Sequence, residues 1–322
     1  MIYNPIINTP LNVSKLTLGT MTFGGQTNLE NSLKIMDIAY DGGINLFDTA
    51  NIYNNGASEQ FVGKWLTDKR DKVLLASKVG YPMNGQLSGV NLSETSILES
   101  LDQSLLRLKT DYLDLYYLHA PDYTTPLIET LGTMDHLIRL GKIKHYGVSN
   151  YAAWQIADLL ALCKEYDYVQ PVMTQNVYNA ITRSIELELM PFLTAHPLAL
   201  TVYNPFAAGL LTGKHKTSTP LANTRLSDNS VYKKRYWSKA NLASTAKLQT
   251  IADDHGLSLI DLASKFCLSN PQVTTVITGV SKPEQLRQNL NSLTGEPLND
   301  LIMKQCQDIW DLHTGKPFAY NR

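Results

Sequence analysis

Short apolar runs typical of β-strands alternate with longer helical patterns along nearly the whole chain, and this alternation constrains the fold more than any other feature. Each run of strand type is followed by a helical pattern. The runs lie at 16–19, 44–47, 73–77, 113–118, 146–148, 172–174, 200–203 and 273–277. Strands that alternate with helices in this way predict βαβ units and a parallel sheet.

Such a sheet is either open and doubly wound or closed into a barrel. An open sheet would normally carry a GxGxxG dinucleotide motif after its first strand, whereas the first run here leads into GTMTFGG at 19–25. Eight units fit a closed barrel better. We therefore predict an α/β fold, a (β/α)8 TIM barrel that forms a single domain over residues 1–322. A long loop, 204–238, should follow the seventh strand, and further helices should end the chain near 283–292 and 298–313.

The overall charge argues against a polyanionic partner. The 322 residues have a formal net charge of −1 and a pI of about 6.7, so no global field would hold nucleic acid or an anionic membrane. The start, MIYNPIINTP, lacks the charged flank and the continuous apolar run of a secretion signal. The sequence also contains no run of about 18 apolar residues that would predict a membrane span. The three cysteines lie far apart, without metal-type spacing, which favours buried thiols in a reducing compartment. We expect a cytoplasmic protein.

Ionisable side chains follow three neighbouring strands at one edge of the predicted barrel. Asp48, Lys78 and His119 come at the ends of the second, third and fourth runs, and Tyr53 lies five residues beyond Asp48. TIM barrels have their chemistry at this edge. Singly, each residue has an ordinary explanation: an aspartate that caps its own turn, a loop tyrosine, a solvated lysine or a strand-capping histidine. Four of them on one rim indicate a site.

These four residue types together can deliver a proton. A tyrosine has a pKa of about 10, too high for efficient proton donation at neutral pH, but a neighbouring ammonium favours the phenolate and lowers that pKa. A carboxylate would keep the ammonium charged and in place, and a histidine across the pocket can hydrogen-bond a carbonyl oxygen. The group would supply a proton to an oxygen that receives electrons from elsewhere. Because none of these residues supplies a hydride, a cofactor is implied.

At this point the chain resembles the aldo-keto reductase superfamily. The matching pieces are FDTANIYNNGASE, ASKVG, YYLHAPD, GVSN and QNVYN, in order and at family-like intervals. In the second half, segments such as YNPFAAGLLTGK, KRYW and EQLRQNL resemble the aflatoxin-aldehyde and succinic-semialdehyde reductase branch. The resemblance implies NADPH-dependent reduction of aldehydes or ketones to alcohols.

The resemblance also assigns a role to each of the four rim residues. Tyr53 would be the general acid, and Lys78 the partner that lowers its pKa. Asp48 would hold the lysine, and His119 would orient the substrate.

Further residues match the family's cofactor contacts. Ser149, Asn150 and Gln175 match residues that hold the nicotinamide carboxamide, and Tyr203 matches the aromatic ring on which the nicotinamide stacks. The other cofactor contacts implied by the resemblance are Met21, Asp48, Asn204, Pro205, Gly209, Leu210, Lys214, Arg225, Gly279, Ser281, Lys282, Gln285, Gln288 and Asn289.

The long loop after the seventh strand is basic. Residues 207–237 contain one acid, Asp228, against the basic residues Lys214, Lys216, Arg225, Lys233, Lys234 and Arg235. A solvated loop is the ordinary explanation, and we accept it for Lys216 and Lys233. In a nearly neutral protein, however, a basic cluster on the catalytic rim should face an anion. The resemblance makes that anion the cofactor diphosphate, bound by 209–214 and Arg225.

A helix after the eighth strand offers a second phosphate site. Free N–H groups and the dipole at a helix N-terminus attract phosphate. By resemblance, Ser281 and Lys282 would meet the 2′-phosphate, while Gln285, Gln288 and Asn289 would hold the adenosine end. Many family members have Lys or Arg where this chain has Gly279 and Gln285, which removes two charges. Lys282, where the family has a small hydroxyl residue, would restore one, and NADPH is the expected cofactor.

The resemblance also implies a substrate preference. In the related branch, a Tyr and an Arg of the long loop and an Arg at the chain's end receive a substrate carboxylate. The matching positions are Tyr232, Arg235 and Arg322, and arginine suits a carboxylate bidentately. For Arg322 the alternative is a frayed chain end. Short aldehydes with an anionic group should then be preferred.

Other classes of function remain to be distinguished. A glycosidase needs two carboxylates, and Asp48 is the only acid at the strand ends. A metal hydrolase needs clustered ligands, and His119 has no His or Cys partner there. The stronger alternative is a cofactor-sensing binding subunit, because some relatives keep the four rim residues while sensing the cofactor for a channel. The expected partner is a small carbonyl substrate. Dimers occur in the related branch, so both a monomer and a homodimer remain open.

Overall fold

Eight parallel strands close into a barrel, which confirms the predicted (β/α)8 fold. The structure is a computed structural model, and it describes residues 1–83, 89–215, 219–293 and 296–314. The strands are β1 (Tyr3–Pro5), β2 (Asn12–Ser14), β3 (Leu16–Gly19), β4 (Leu46–Asp48), β5 (Leu74–Val79), β6 (Leu113–Leu118), β7 (Ile143–Ser149), β8 (Met173–Val177), β9 (Ala199–Tyr203) and β10 (Val273–Gly279). From β3 to β10 they follow one another around the barrel, and β10 pairs with β3.

Helices surround the barrel. They are α1 (Leu29–Asp41), α2 (Ala57–Trp65), α3 (Glu94–Leu108), α4 (Leu127–Arg139), α5 (Ala153–Glu165), α6 (Leu189–Ala195), α7 (Arg225–Asp228), α8 (Ser230–Tyr236), α9 (Lys239–Asp254), α10 (Leu259–Ser269), α11 (Pro283–Leu293) and α12 (Asp300–Thr314). Within the described ranges, no helix has the length and apolar character needed to cross a membrane.

Alternate residues of each barrel strand face the barrel interior and the helix layer. In β5, Leu74 and Ala76 pack in a cluster inside the barrel, whereas Leu75 packs in the larger core under the helices. Successive strand residues point to opposite faces. Lys78 therefore follows Leu74 and Ala76 into the barrel, and Ser77 faces the helices.

A short N-terminal hairpin, which the sequence pattern did not predict, closes the far end of the barrel. Its strands β1 and β2 pair antiparallel. Ile6 and Val13 join the cluster inside the barrel, and Asn4 Nδ2 donates to the Thr274 carbonyl oxygen at 2.7 Å. Strands of three residues, YNP and NVS, contain no apolar run, so they gave no strand signal.

Several predicted boundaries are wrong by a few residues. β4 ends on Asp48 and β5 continues to Val79, so Asp48 and Lys78 lie within strands rather than after them. The helix predicted near 185–193 is α6, which begins at Leu189 after a 3₁₀ turn. The apolar pattern ends early in β4 and β5 because the last inward-facing residues of these strands are polar.

The long loop after β9 is present, but it is largely structured. It contains a 3₁₀ segment, Ala207–Thr212, followed by α7 and α8. Asn229 caps α8 by accepting the N–H groups of Val231 and Tyr232 at 3.0 and 3.1 Å. Tyr236 at the end of α8 is buried, and its hydroxyl accepts a hydrogen bond from Asn204 Nδ2 at 2.8 Å. This contact fastens the loop to the end of β9.

Candidate active site

Lys78 and Asp48 form a buried ion pair inside the mouth of the barrel. Lys78 Nζ also donates to the Thr49 carbonyl oxygen at 2.8 Å and to the Tyr53 hydroxyl at 3.4 Å. The second carboxylate oxygen of Asp48 accepts from Gln175 Nε2 at 3.0 Å. Burial lowers the pKa of Lys78, and the negative charge of Asp48 opposes that shift. Three of the four predicted rim residues are therefore in direct contact.

The electrostatic environment of Tyr53 differs from the prediction. Burial raises the pKa of Tyr53 well above its usual value, and the charge of Asp48 raises it further. The predicted lowering of the Tyr53 pKa by Lys78 is wrong for the free protein. The reason is that desolvation of the buried phenol dominates, the negative charge of Asp48 adds to it, and Lys78, which is paired with Asp48, does not offset the two. Tyr53, protonated at neutral pH as an ordinary tyrosine is, is consequently a weaker acid than an exposed phenol.

His119 lies beside Tyr53 as a neutral imidazole. Its ring is edge-on to the rings of Tyr53 and Tyr81, with centroid distances of 6.0 and 5.0 Å. Burial, and then the charge of Lys78, hold the pKa of His119 well below its ordinary value. Its Nδ1 is buried and has no hydrogen-bond partner among the described residues. Tyr81 was not predicted as a site residue; the available signal was an aromatic residue just beyond the end of β5.

The predicted nicotinamide contacts are joined by hydrogen bonds along one side of the rim. The Tyr203 hydroxyl donates to Asn150 Oδ1 at 2.7 Å, and Asn150 Nδ2 donates to the His119 carbonyl oxygen at 2.9 Å. The Ser149 hydroxyl donates to the Gln175 carbonyl oxygen at 3.0 Å. Asn150 has a φ of 64°, a left-handed conformation that Asn tolerates, and it turns the chain sharply after β7. The structure thus brings all four predicted contacts together.

The long loop brings cationic and aromatic side chains to the mouth. The Tyr232 hydroxyl lies 3.7 Å from the sulfur of Met21, which follows the first barrel strand, β3. The guanidinium carbons of Arg225 and Arg235 lie 5.3 and 5.9 Å from the centre of the Tyr232 ring. Two predicted substrate residues, Tyr232 and Arg235, are therefore close together. The third, Arg322, lies outside the described residues.

Lys214 and Arg225 form a cationic pair that suits a diphosphate. A Cβ on Gly209, which has a φ of 98°, would lie 3.4 Å from Lys214 Nζ, so the glycine lets the ammonium lie against the backbone. Burial and the charge of Arg225 lower the pKa of Lys214. Neither cation has a salt-bridge partner in the described part of the chain. Two cations without a salt-bridge partner among the described residues, one of them beside an open glycine backbone, fit the diphosphate of a nicotinamide cofactor.

The start of α11 differs from the predicted phosphate site. The side-chain oxygen of Gln285 accepts the N–H groups of Ser281 and Lys282 at 2.9 and 3.2 Å. These N–H groups are therefore capped, not free as predicted. Space remains at Gly279, where a Cβ would approach nothing nearer than 3.9 Å. Gln288 lies further along the same helix.

Four other predicted cofactor contacts are engaged in packing. Pro205 and Leu210 are buried. Asn204 bonds to the tyrosine that ends α8, and Asn289 is buried and donates to Thr278 Oγ1 of β10 at 2.9 Å. These side chains hold the rim together.

Comparison with known proteins identifies the family. A sequence profile of the Aldo/keto reductase family matches residues 15–311. The chain is 31% identical, over 99% of its length and 100% of the relative, to a probable voltage-gated potassium channel subunit beta of Arabidopsis thaliana. It is 34% identical to the protein of that name from Oryza sativa subsp. japonica, over 92% of this chain and 93% of the relative. It is also 33% identical to aflatoxin B1 aldehyde reductase member 2 of Rattus norvegicus, over 92% of this chain and 84% of the relative. The chain therefore belongs to the aldo/keto reductase family of oxidoreductases.

Proposed function

We propose that this protein reduces aldehydes to alcohols with NADPH, and that Tyr53 donates the proton. The observation that carries the proposal is the contact of the Tyr53 hydroxyl with Lys78 Nζ at 3.4 Å, at the mouth of the barrel. The neutral ring of His119 lies beside that contact. Ketones are a second substrate class that the same chemistry would accept.

The proton transfer follows from the electrostatics of the chain's own residues. Tyr53 is protonated at neutral pH, as a general acid must be, but burial raises its pKa and makes it a weak acid. As the proton leaves, negative charge develops on the phenol oxygen beside the ammonium of Lys78. A fixed cation at the place where charge develops stabilises the transition state. Asp48 acts through Lys78 by keeping it charged in a buried position.

His119 has a separate task in this proposal. A neutral imidazole can donate a hydrogen bond to the substrate's carbonyl oxygen and so orient it toward Tyr53. It adds no second positive charge beside Lys78, consistent with a pKa held low by burial and by that lysine.

The cofactor supplies the hydride when bound. In our proposal Ser149, Asn150 and Gln175 hold its carboxamide, Tyr203 faces the nicotinamide ring, and the Lys214–Arg225 pair holds the diphosphate. Ser281 and Lys282 would bind the 2′-phosphate after the Gln285 side chain moves away from their N–H groups. The support for NADPH is the single cation Lys282 at the start of α11, which is exposed.

Steady-state oxidation of NADPH with a panel of aldehydes tests the proposal. Turnover should fall by about 100-fold or more in Tyr53→Phe, the usual contribution of a general acid. Tyr123→Phe is the matched control, because this tyrosine is 81% exposed and should keep wild-type rates. Full activity in Tyr53→Phe would refute the assignment.

A cofactor-sensing binding subunit is the second candidate function. It is favoured by the two plant relatives, which are named as probable potassium channel beta subunits. The two candidates make different predictions. Binding of NADPH without turnover of any aldehyde or ketone would support the sensor, and steady turnover would support the reductase.

Location and assembly are further proposals. We propose a cytoplasmic location, supported by three cysteines that are all buried and unpaired. We also propose that the protein binds neither nucleic acid nor a membrane. A homodimer rests on the family resemblance alone, and sedimentation equilibrium would test it.

A further inference from the structure

A buried ion pair outside the barrel lies behind the Tyr53–Lys78 contact. Arg107 of α3 donates from Nε to Glu59 Oε2 of α2 at 2.7 Å, and the Glu59 side chain is 0% exposed. Both residues belong to the helix layer, so neither faces the mouth of the barrel.

Glu59 holds the strand that carries Lys78. The Ser77 hydroxyl donates to Glu59 Oε1 at 2.6 Å. Ser77 immediately precedes Lys78 and points to the opposite face of β5. A hydrogen bond from Ser77 to a fixed carboxylate therefore fixes the backbone from which Lys78 extends into the barrel.

Arg107 supports the turn that carries Tyr53. Gly56 donates its N–H to the Tyr53 carbonyl oxygen at 3.2 Å and has a φ of 85°. A Cβ on Gly56 would lie 2.7 Å from Arg107 Cδ and 2.9 Å from Arg107 Nε. The guanidinium arm therefore packs directly under the turn, in space that only a glycine leaves open. The two halves of the ion pair thus contact the two segments that meet at the Tyr53–Lys78 contact.

Fold stability alone does not require charges at this place. Taking two ions out of water costs several kcal/mol per ion, and an apolar pair of similar volume is often equally stable or more so. An ion pair with hydrogen bonds does fix relative position more sharply than apolar packing. The charge of Glu59 has a second effect: burial lowers the pKa of Lys78, and Asp48 and then Glu59 oppose that shift.

We propose that Glu59 and Arg107 are positioning residues that set the distance between Lys78 Nζ and Tyr53 Oη. Their effect on turnover rests on the proposed function, whereas their effect on the distance does not. Glu59→Gln is the sharpest change, because it keeps the shape of the side chain and removes its charge.

Asp114 of β6 provides a matched control, because it also holds β5 through a hydrogen bond. It is also buried, and its Oδ2 accepts the Leu75 N–H of β5 at 2.8 Å and pairs with Arg70 at 2.8 Å. Leu75 lies near the other end of β5 from Lys78. Asp114→Asn therefore weakens a comparable ion pair away from the mouth.

We expect both variants to lose thermal stability, but only Glu59→Gln to change the site. Its crystal structure should have a Lys78 Nζ–Tyr53 Oη distance longer than in the wild type. Its kcat should fall about tenfold, with the KM for NADPH within about twofold of wild type, because misplacement of a reacting group lowers the rate of the chemical step. The alkaline limb of its kcat–pH profile should move, since the environment of Tyr53 and Lys78 has changed.

An unchanged distance and pH profile in Glu59→Gln would overturn the proposal, as would an equal fall of kcat in Asp114→Asn. Should Glu59→Gln fail to fold, Ser77→Ala and Arg107→Lys allow the same measurements, each removing a single link of the network. A wild-type protein without turnover would contradict the proposed function, and the distance measurement would still decide the positioning role.

Discussion

Gln175 on β8 donates a hydrogen bond to Asp48 on β4, across the interior of the barrel. The distance between Gln175 Nε2 and Asp48 Oδ2 is 3.0 Å, and both side chains are buried. The other oxygen of Asp48 bonds to Lys78. Gln175, predicted only as a nicotinamide contact, is thus also a partner of the buried ion pair.

Replacing Gln175 by Met should reduce the free energy of unfolding by about 1–3 kcal/mol. The size is that of a buried acceptor left without its partner, since Met keeps the volume but cannot donate to Asp48. Urea denaturation measures the change. Gln60→Met on the exposed face of α2 is the control and should change stability by less than about 0.5 kcal/mol. Equal changes in the free energy of unfolding for the two variants would show that the hydrogen bond from Gln175 to Asp48 does not stabilise the fold.

The sequence pattern located the rim residues well because their positions are set locally. Asp48, Lys78 and His119 each end or follow an apolar run, and the carboxyl ends of parallel strands must share one edge of a barrel. The alternation of strands and helices predicted a parallel sheet, and the count of eight units without a GxGxxG motif favoured its closure into a barrel. The boundaries of β4 and β5 were less accurate because their last inward residues are polar.

The contacts between distant segments could not be predicted in this way. Gln175 and Asp48 are 127 residues apart, and only barrel closure brings them into contact. The direction of the Tyr53 pKa depends on burial, which a loop sequence does not reveal. The Gln285 cap depends on the rotamer of one side chain. In each case the deciding quantity is three-dimensional: a distance, a degree of burial or a side-chain conformation.

Protonation of His119 should destabilise the folded protein in mild acid. Burial and the charge of Lys78 hold the pKa of His119 well below its ordinary value, which is about 6.5 and applies in the unfolded chain. Above that pH the ring is neutral in both states, and stability is unaffected. Below it the unfolded chain binds a proton that the folded chain does not, so the free energy of unfolding falls as the pH falls.

Chemical denaturation between pH 5 and pH 8 tests this expectation. The wild type should lose more stability than His119→Asn over that range, by up to about 1.4 kcal/mol for each pH unit below 6.5. The exposed His196 provides the control variant His196→Asn, which should follow the wild-type curve. Parallel curves for wild type and His119→Asn would mean that His119 is not held neutral by the fold.

Lys282 should determine the preference for NADPH over NADH. Among residues 279–285 Lys282 has the one positively charged side chain, whereas the N–H groups at the start of α11 become available only when Gln285 moves away. Lys282→Ala should raise the KM for NADPH about tenfold, the scale of one charge-assisted hydrogen bond, and the KM for NADH by less than about twofold. Arg287→Ala is the control, because Arg287 lies on the same helix and pairs with Glu284 at 3.9 Å. Equal effects of Lys282→Ala on the two cofactors would refute its placement at the 2′-phosphate.

Arg235 should determine the preference for aldehydes that bear a carboxylate. Burial raises the pKa of both Tyr81 and Tyr203, and the charge of Arg235 opposes that shift at each. The Arg235 guanidinium is therefore close enough to the mouth of the barrel to interact with both tyrosines. Arg235→Ala should raise the KM for succinic semialdehyde at least about tenfold, because the carboxylate loses a bidentate partner. The same variant should leave the KM for nitrobenzaldehyde, which is uncharged, within about twofold. Lys234→Ala removes the same positive charge from the neighbouring position of α8. It therefore tests whether the effect on KM depends on where the charge lies or only on the total charge of the loop. Equal losses with both aldehydes, or an equal effect of Lys234→Ala, would mean that Arg235 shapes the loop and does not bind the substrate.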